Sequence, residues 1–92
     1  MEETILTRHP EGRKGVNISK DKYDTVRSAI VGCLRKGQLS RTELIALVED
    51  TLTGAFEGSI PWYTECVRLD LEARHMIKRT ATKPQRYRLL RA

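Results

Sequence analysis

The sequence is short of the residues on which most enzymatic chemistry depends. It has two histidines, His9 and His75, and neither has a carboxylate or a nucleophile at motif spacing. It has no P-loop, no G-x-G-x-x-G and no set of side chains at metal-ligand spacing. No catalytic residue, metal site or cofactor site is therefore expected, and the protein is not expected to be an enzyme. There are only two cysteines, Cys33 and Cys66, and they form no C-x-x-C. Both fall on apolar helix faces and read as reduced core residues, as in a cytoplasmic protein. No apolar run is long enough to span a bilayer, so no membrane partner is expected. The acidic start, Met1-Glu2-Glu3-Thr4, has no signal-peptide pattern.

One further absence is local. No acidic residue follows Glu72. Residues 1–72 hold ten Lys/Arg against twelve Asp/Glu, whereas residues 73–92 hold seven Lys/Arg and no acid. A slightly acidic body with a strongly basic end suggests an acidic partner, most often nucleic acid. The alternative is a solvated, solubilising surface. At 92 residues the chain makes one domain, able to bury about 60–70% of its unfolded surface.

The elements follow from periodicity and punctuation. Residues 1–18 read as an arm, with short strands at Thr4–Thr7 and Val16–Ile18 around a Pro/Gly loop. This arm either packs on the domain, residues 19–92, or pairs with another chain. A first helix starts near Ser19 or Asp21 and places Tyr23, Val26, Ile30, Cys33 and Leu34 on one face. Lys36-Gly37 ends it, and Gln38-Leu39 leaves room for a short strand. Ser40-Arg41-Thr42-Glu43 is a capping box opening a second helix that buries Leu44, Leu47, Val48 and Leu52. Phe56, in the connector that follows, is expected to plug the core.

The third helix opens with Ser59 as N-cap and Pro61 in its first turn. Taken at about 100° per residue, Tyr63, Val67 and Leu71 share the core side. Trp62 also reads as core, with an exposed aromatic anchor as the alternative. Thr64, Arg68, Glu72 and His75 fall on the polar side, with Glu65 at its edge. Asp70 breaks the pattern by falling inside the apolar arc, and pairing with Arg74 one turn on is the simplest resolution. Beyond His75 the period becomes two. Met76–Thr80 and Arg86–Leu90 read as a β-hairpin, with Tyr87 and Leu89 inward and Arg86 and Arg88 outward. The expected core is Val26, Ile30, Leu34, Leu44, Val48, Val67, Leu71, Ile77, Tyr87 and Leu89. The expected class is mainly α (α+β).

This order resembles a winged helix-turn-helix domain. The likeness rests on LSRTEL at 39–44, VRLDLEARHMIKR at 67–79 and RYRLL at 86–90. The longer string HPEG, KYDTVRSAIVGCL, PWYTECVRLDLEA and TKPQRYR is similar to a family of short bacterial proteins with a winged-helix-like fold and no assigned function. That likeness spans about residues 9–88. It implies a three-helix core, a two-stranded wing and an N-terminal arm. Two departures stand out. His75 occupies the position after the third helix that is usually Gly, and the connector over residues 53–59 is longer than in a compact helix-turn-helix.

The basic end of the chain on a winged-helix fold suggests DNA binding, as in a transcriptional regulator. Thr64 and Arg68 would face the groove, and Lys78, Lys83, Arg86 and Arg88 of the wing would touch phosphates. The partner would be nucleic acid, with double-stranded DNA first. The alternative is a winged-helix interaction module, with a protein partner or a second copy of the chain making a homodimer and no nucleic acid bound.

Overall fold

The computed structural model describes residues 3–90, so the acidic start at residues 1–2 and Arg91 lie outside the described residues. Three helices and two small antiparallel sheets make an α+β fold. Strands β1 (Thr4–Leu6) and β2 (Asn17–Ser19) pair with each other, so the arm closes on itself as a hairpin. Helix α1 (Lys20–Leu34) follows directly, capped by the Ser19 hydroxyl, which accepts from the Lys22 N–H. A two-residue strand β3 (Leu39–Ser40) leads into α2 (Arg41–Leu52). The capping box is complete: Ser40 Oγ accepts from the Glu43 N–H at 3.2 Å, and Glu43 Oε1 accepts from the Ser40 N–H at 2.9 Å. That hydrogen bond holds the Glu43 carboxyl below its usual range.

Helix α3 (Ile60–Ala73) starts with Ser59 as cap and Pro61 in its first turn. Its end is closed by the Met76 N–H, which donates to the Leu71 carbonyl at 2.9 Å, and by His75 at φ 59°. That is a Schellman closure with His where Gly is usual. The chain then runs into β4 (Ile77–Arg79) and returns as β5 (Arg86–Leu89). The three-stranded sheet has the order β3-β5-β4, with β5 in the middle. Leu39 faces Tyr87 across one ladder, and Lys78 faces Arg88 across the other.

The core lies between the three helices and the inner face of this sheet. Nine of the ten expected core residues are buried, and Leu89 packs partly buried against them. Phe56 also packs against the core from its connector, edge to face with Tyr63. Two expectations on apolar residues are corrected. Leu47 is 42% exposed because Leu44, Val48 and Leu52 alone cover the inner side of α2. Trp62 is 47% exposed at the start of α3, with its ring edge to face against Tyr63.

Candidate functional site

The polar residues of α3 fall on two flanks, and each flank is covered by a different part of the chain. On the sheet side lie Glu65, Arg68 and Glu72. Arg68 is buried, and its guanidinium carbon sits 4.7 Å from the centre of the Tyr87 ring on β5. One of its terminal nitrogens donates to Glu65 Oε2 at 2.9 Å and the other to Glu72 Oε1. Glu65 also accepts from Arg41 Nε of α2 at 2.8 Å, and Glu72 from Arg79 Nε of β4 at 2.9 Å. The five side chains form one alternating chain of charge from α2 across α3 to β4. Burial pushes the Glu65 carboxyl up, but hydrogen bonds and charge from Arg68 and Arg41 overcome this and hold it below its usual range. Burial likewise opposes the charge on Arg68, and Glu65 and Glu72 restore it. Arg68 Nε is a buried donor with no partner among the described residues.

This geometry corrects the placement of the two helix residues expected to face a groove. Thr64 is fully buried, and its hydroxyl donates to the Ile60 carbonyl at 2.7 Å, so it sits inside without an unpaired polar atom. Arg68 points at the sheet because Tyr87 offers a ring to stack on and two carboxylates flank it. Neither side chain is presented to solvent.

On the opposite flank of α3 lies Asp70, which is also fully buried. Arg74 Nε donates to it at 2.8 Å, as the i, i+4 spacing suggests. Two further partners were not visible from that spacing. The Tyr23 hydroxyl of α1 donates to Oδ2, and the Arg8 backbone N–H of the arm donates to Oδ1 at 2.8 Å. The only sequence signal for the first was a tyrosine on an apolar helix face, whose hydroxyl needs a partner when buried. Burial, and then the bond to Asp70, drive the Tyr23 hydroxyl far above its ordinary pKa. One carboxylate thus joins arm, α1 and α3.

The wing residues behave differently. Alternation along β5 sends Tyr87 inward and Arg86 and Arg88 outward, and Lys78 lies directly across from Arg88. Lys78 and Arg88 line a shallow depression with Gln38, Thr80 and Thr82. Lys83 is exposed in the β4–β5 turn. Lys78, Lys83 and Arg88 have no ion pair among the described residues, and Arg86 makes only a loose one, 3.9 Å from Glu43. The turn is internally tied: Thr80 Oγ1 accepts from the Arg86 N–H at 3.0 Å and lies 2.6 Å from Thr82 Oγ1, which donates to the Pro84 carbonyl at 3.1 Å. The structure therefore gathers Lys78, Arg86 and Arg88 on one outer face with Lys83 at its tip. It separates them from Thr64 and Arg68.

Burial raises the pKa of the Cys33 and Cys66 thiols. Among the described residues no cluster of His, Cys, Asp or Glu is arranged to hold a metal ion, and no helix is long and apolar enough to cross a membrane. No curated protein and no solved structure matches the chain. Residues 4–87 match DUF6958, a family of unknown function, and over that span, nearly its whole length, the chain belongs to this family.

Proposed function

We propose that this is a winged-helix protein that binds the sugar–phosphate backbone of double-stranded DNA through the β4–β5 hairpin, without reading bases through α3. The element order, the place of β3 at the edge of β5 and the left-handed turn at His75 support the winged-helix assignment. The observation that carries the binding is the outer face of the sheet. Lys78 and Arg88 sit directly opposite each other with Arg86 beside them, and like charges facing across strands destabilise a sheet. A bound polyanion removes that penalty. With Arg68 turned inward and Thr64 buried, the contacts fall to exposed cations such as those of the wing and not to α3.

The test is fluorescence anisotropy of a labelled duplex over a salt series. Four wing contacts contribute a slope of log affinity against log salt of about −3 to −4, at roughly −0.9 per phosphate. Arg86→Ala with Arg88→Ala flattens it by about 2 and weakens all sequences alike. Absence of salt-dependent binding at low ionic strength overturns the reading. A second reading, a protein-interaction module, draws on the exposed Trp62 ring. A stable dimer in sedimentation, lost in Trp62→Ala, would favour it.

A further inference from the structure

Resting on the nucleic-acid reading above, we propose that the arm loop, residues 8–15, is a second phosphate-contacting element on the opposite flank of α3 from the wing. The two elements then straddle a groove of a double helix. The loop is built to stay in one place. At its base the Thr7 N–H donates to the Val16 carbonyl at 2.9 Å, and the Val16 N–H donates back to Thr7 Oγ1 at 3.0 Å. Gly15 lies flush against the Thr7 carbonyl, where an added Cβ would sit 1.7 Å from the oxygen. Asp70 then pins the Arg8 N–H from α3.

The loop so fixed runs along the arm flank of α3, from beside Cys66 toward the turn that follows the helix. Lys14 and Arg8 line a depression with Cys66 and Leu69 of α3, and Pro10 lines another with His75 and Lys78. Arg8, Arg13 and Lys14 are exposed, and the loop's single acid is Glu11, in a loose surface pair with Arg13 at 3.5 Å. Such an exposed pair contributes little and exchanges readily for a phosphate.

Helical geometry places the two basic elements on either side of one ridge. At about 100° per residue, Glu65, Arg68 and Glu72 face the sheet, Cys66 and Asp70 face the arm, and Leu69 lies between them. The ridge is nearly neutral, because Glu65 and Glu72 are each shared between two guanidinium groups. A helix with side chains is about 10–12 Å across, and a major groove is about 12 Å wide. Cations on both flanks of a neutral ridge of that width match two phosphate backbones separated by a groove. A single strand has one backbone and engages one flank.

The experiment uses the full chain, a labelled duplex and the matching labelled single strand, each over a salt series. Arg13→Ala with Lys14→Ala flattens the duplex slope by about 2, on top of the wing's share, and leaves the single-strand slope less affected. Both substituted side chains are exposed, so thermal unfolding is expected to stay the same and serves as the folding control. A duplex slope that is flattened by the wing substitutions and untouched by Arg13→Ala with Lys14→Ala overturns this inference and leaves the wing reading standing. Equal slopes for single strand and duplex overturn the straddling geometry. Absence of any salt-dependent binding overturns the nucleic-acid reading itself, and this inference with it.

Discussion

Replacing Asp70 tests whether one buried carboxylate holds the arm, α1 and α3 together. Its carboxylate accepts from the Arg8 N–H, the Tyr23 hydroxyl and Arg74 Nε, and it is wholly removed from solvent. In Asp70→Ala the Arg8 N–H, part-buried, and the Tyr23 hydroxyl, buried, lose their acceptor. Each buried donor left unsatisfied costs about 1–3 kcal/mol. Breaking a buried ion pair by removing one partner costs about 3–5 kcal/mol, though the Arg74 side chain, 30% exposed, recovers some hydration. A net loss of about 4 kcal/mol follows, a large share of the roughly 5–15 kcal/mol that a domain has in total. At about 4–8 °C per kcal/mol for a chain of this size, Tm falls by roughly 15–30 °C. Asp70→Asn keeps the shape and an acceptor for Arg8 but turns an amide donor toward both Tyr23 and Arg74, and costs less, about 2 kcal/mol.

The assay is urea and thermal unfolding, joined to amide exchange at Arg8. Tyr23→Phe is the control: it removes the hydroxyl, leaves the Arg8 bond intact and costs about 1 kcal/mol. In that variant the Arg8 amide stays protected, whereas in Asp70→Ala it exchanges faster than the β1–β2 ladder amides beside it. An Arg8 amide that exchanges at the same rate in the native and Asp70→Ala proteins, with Tm unchanged, refutes the hub.

Two other outcomes follow from the same contacts. The Tyr23 hydroxyl is raised well above its unfolded value near 10, so its contribution is complete below about pH 10 and is lost as pH rises toward the folded value. Stability measured by urea unfolding falls above pH 10 by up to about 1.4 kcal/mol per pH unit, and Tyr23→Phe removes one proton's worth of that slope. At His75, φ 59° suits glycine and tolerates histidine, so His75→Gly is neutral or stabilising while the β-branched His75→Val costs about 1–2 kcal/mol, read from Tm.

Sequence periodicity located the helices to within about two residues because each has its own cap: Ser19, Ser40 with Glu43, and Ser59 with Pro61. The core was legible for the same reason, since Val26, Ile30, Leu44, Val48, Val67 and Leu71 repeat at helical spacing and lie fully buried. The inner and outer faces of β5 followed from simple alternation. The directions of Thr64 and Arg68 were not legible. A helical wheel orders side chains around their own axis, but it does not say which flanks other elements cover. Here the sheet covers one flank of α3 and the arm the other, leaving a narrower exposed stripe than an amphipathic helix implies. The Arg8 contact had no sequence signal at all, because its donor is a backbone N–H 62 residues from the acceptor.

The cost of moving Arg68 decides how α3 takes part in the proposed binding. For Arg68 to read a base, its guanidinium must leave the Tyr87 ring and both carboxylates. Glu72, whose side chain is only 7% exposed, then loses one of its two partners. Removing one partner of a buried pair costs about 3–5 kcal/mol, whereas a good bidentate base contact returns about 1–3 kcal/mol of discrimination. The balance keeps Arg68 inside. Lys78, Lys83 and Arg88 incur no such cost, being exposed and free of carboxylate partners among the described residues. Their long side chains reach phosphates without disturbing a single buried contact. On the proposed reading, binding by the wing and arm is favoured over base reading by α3, and weak discrimination among duplex sequences is the expected result.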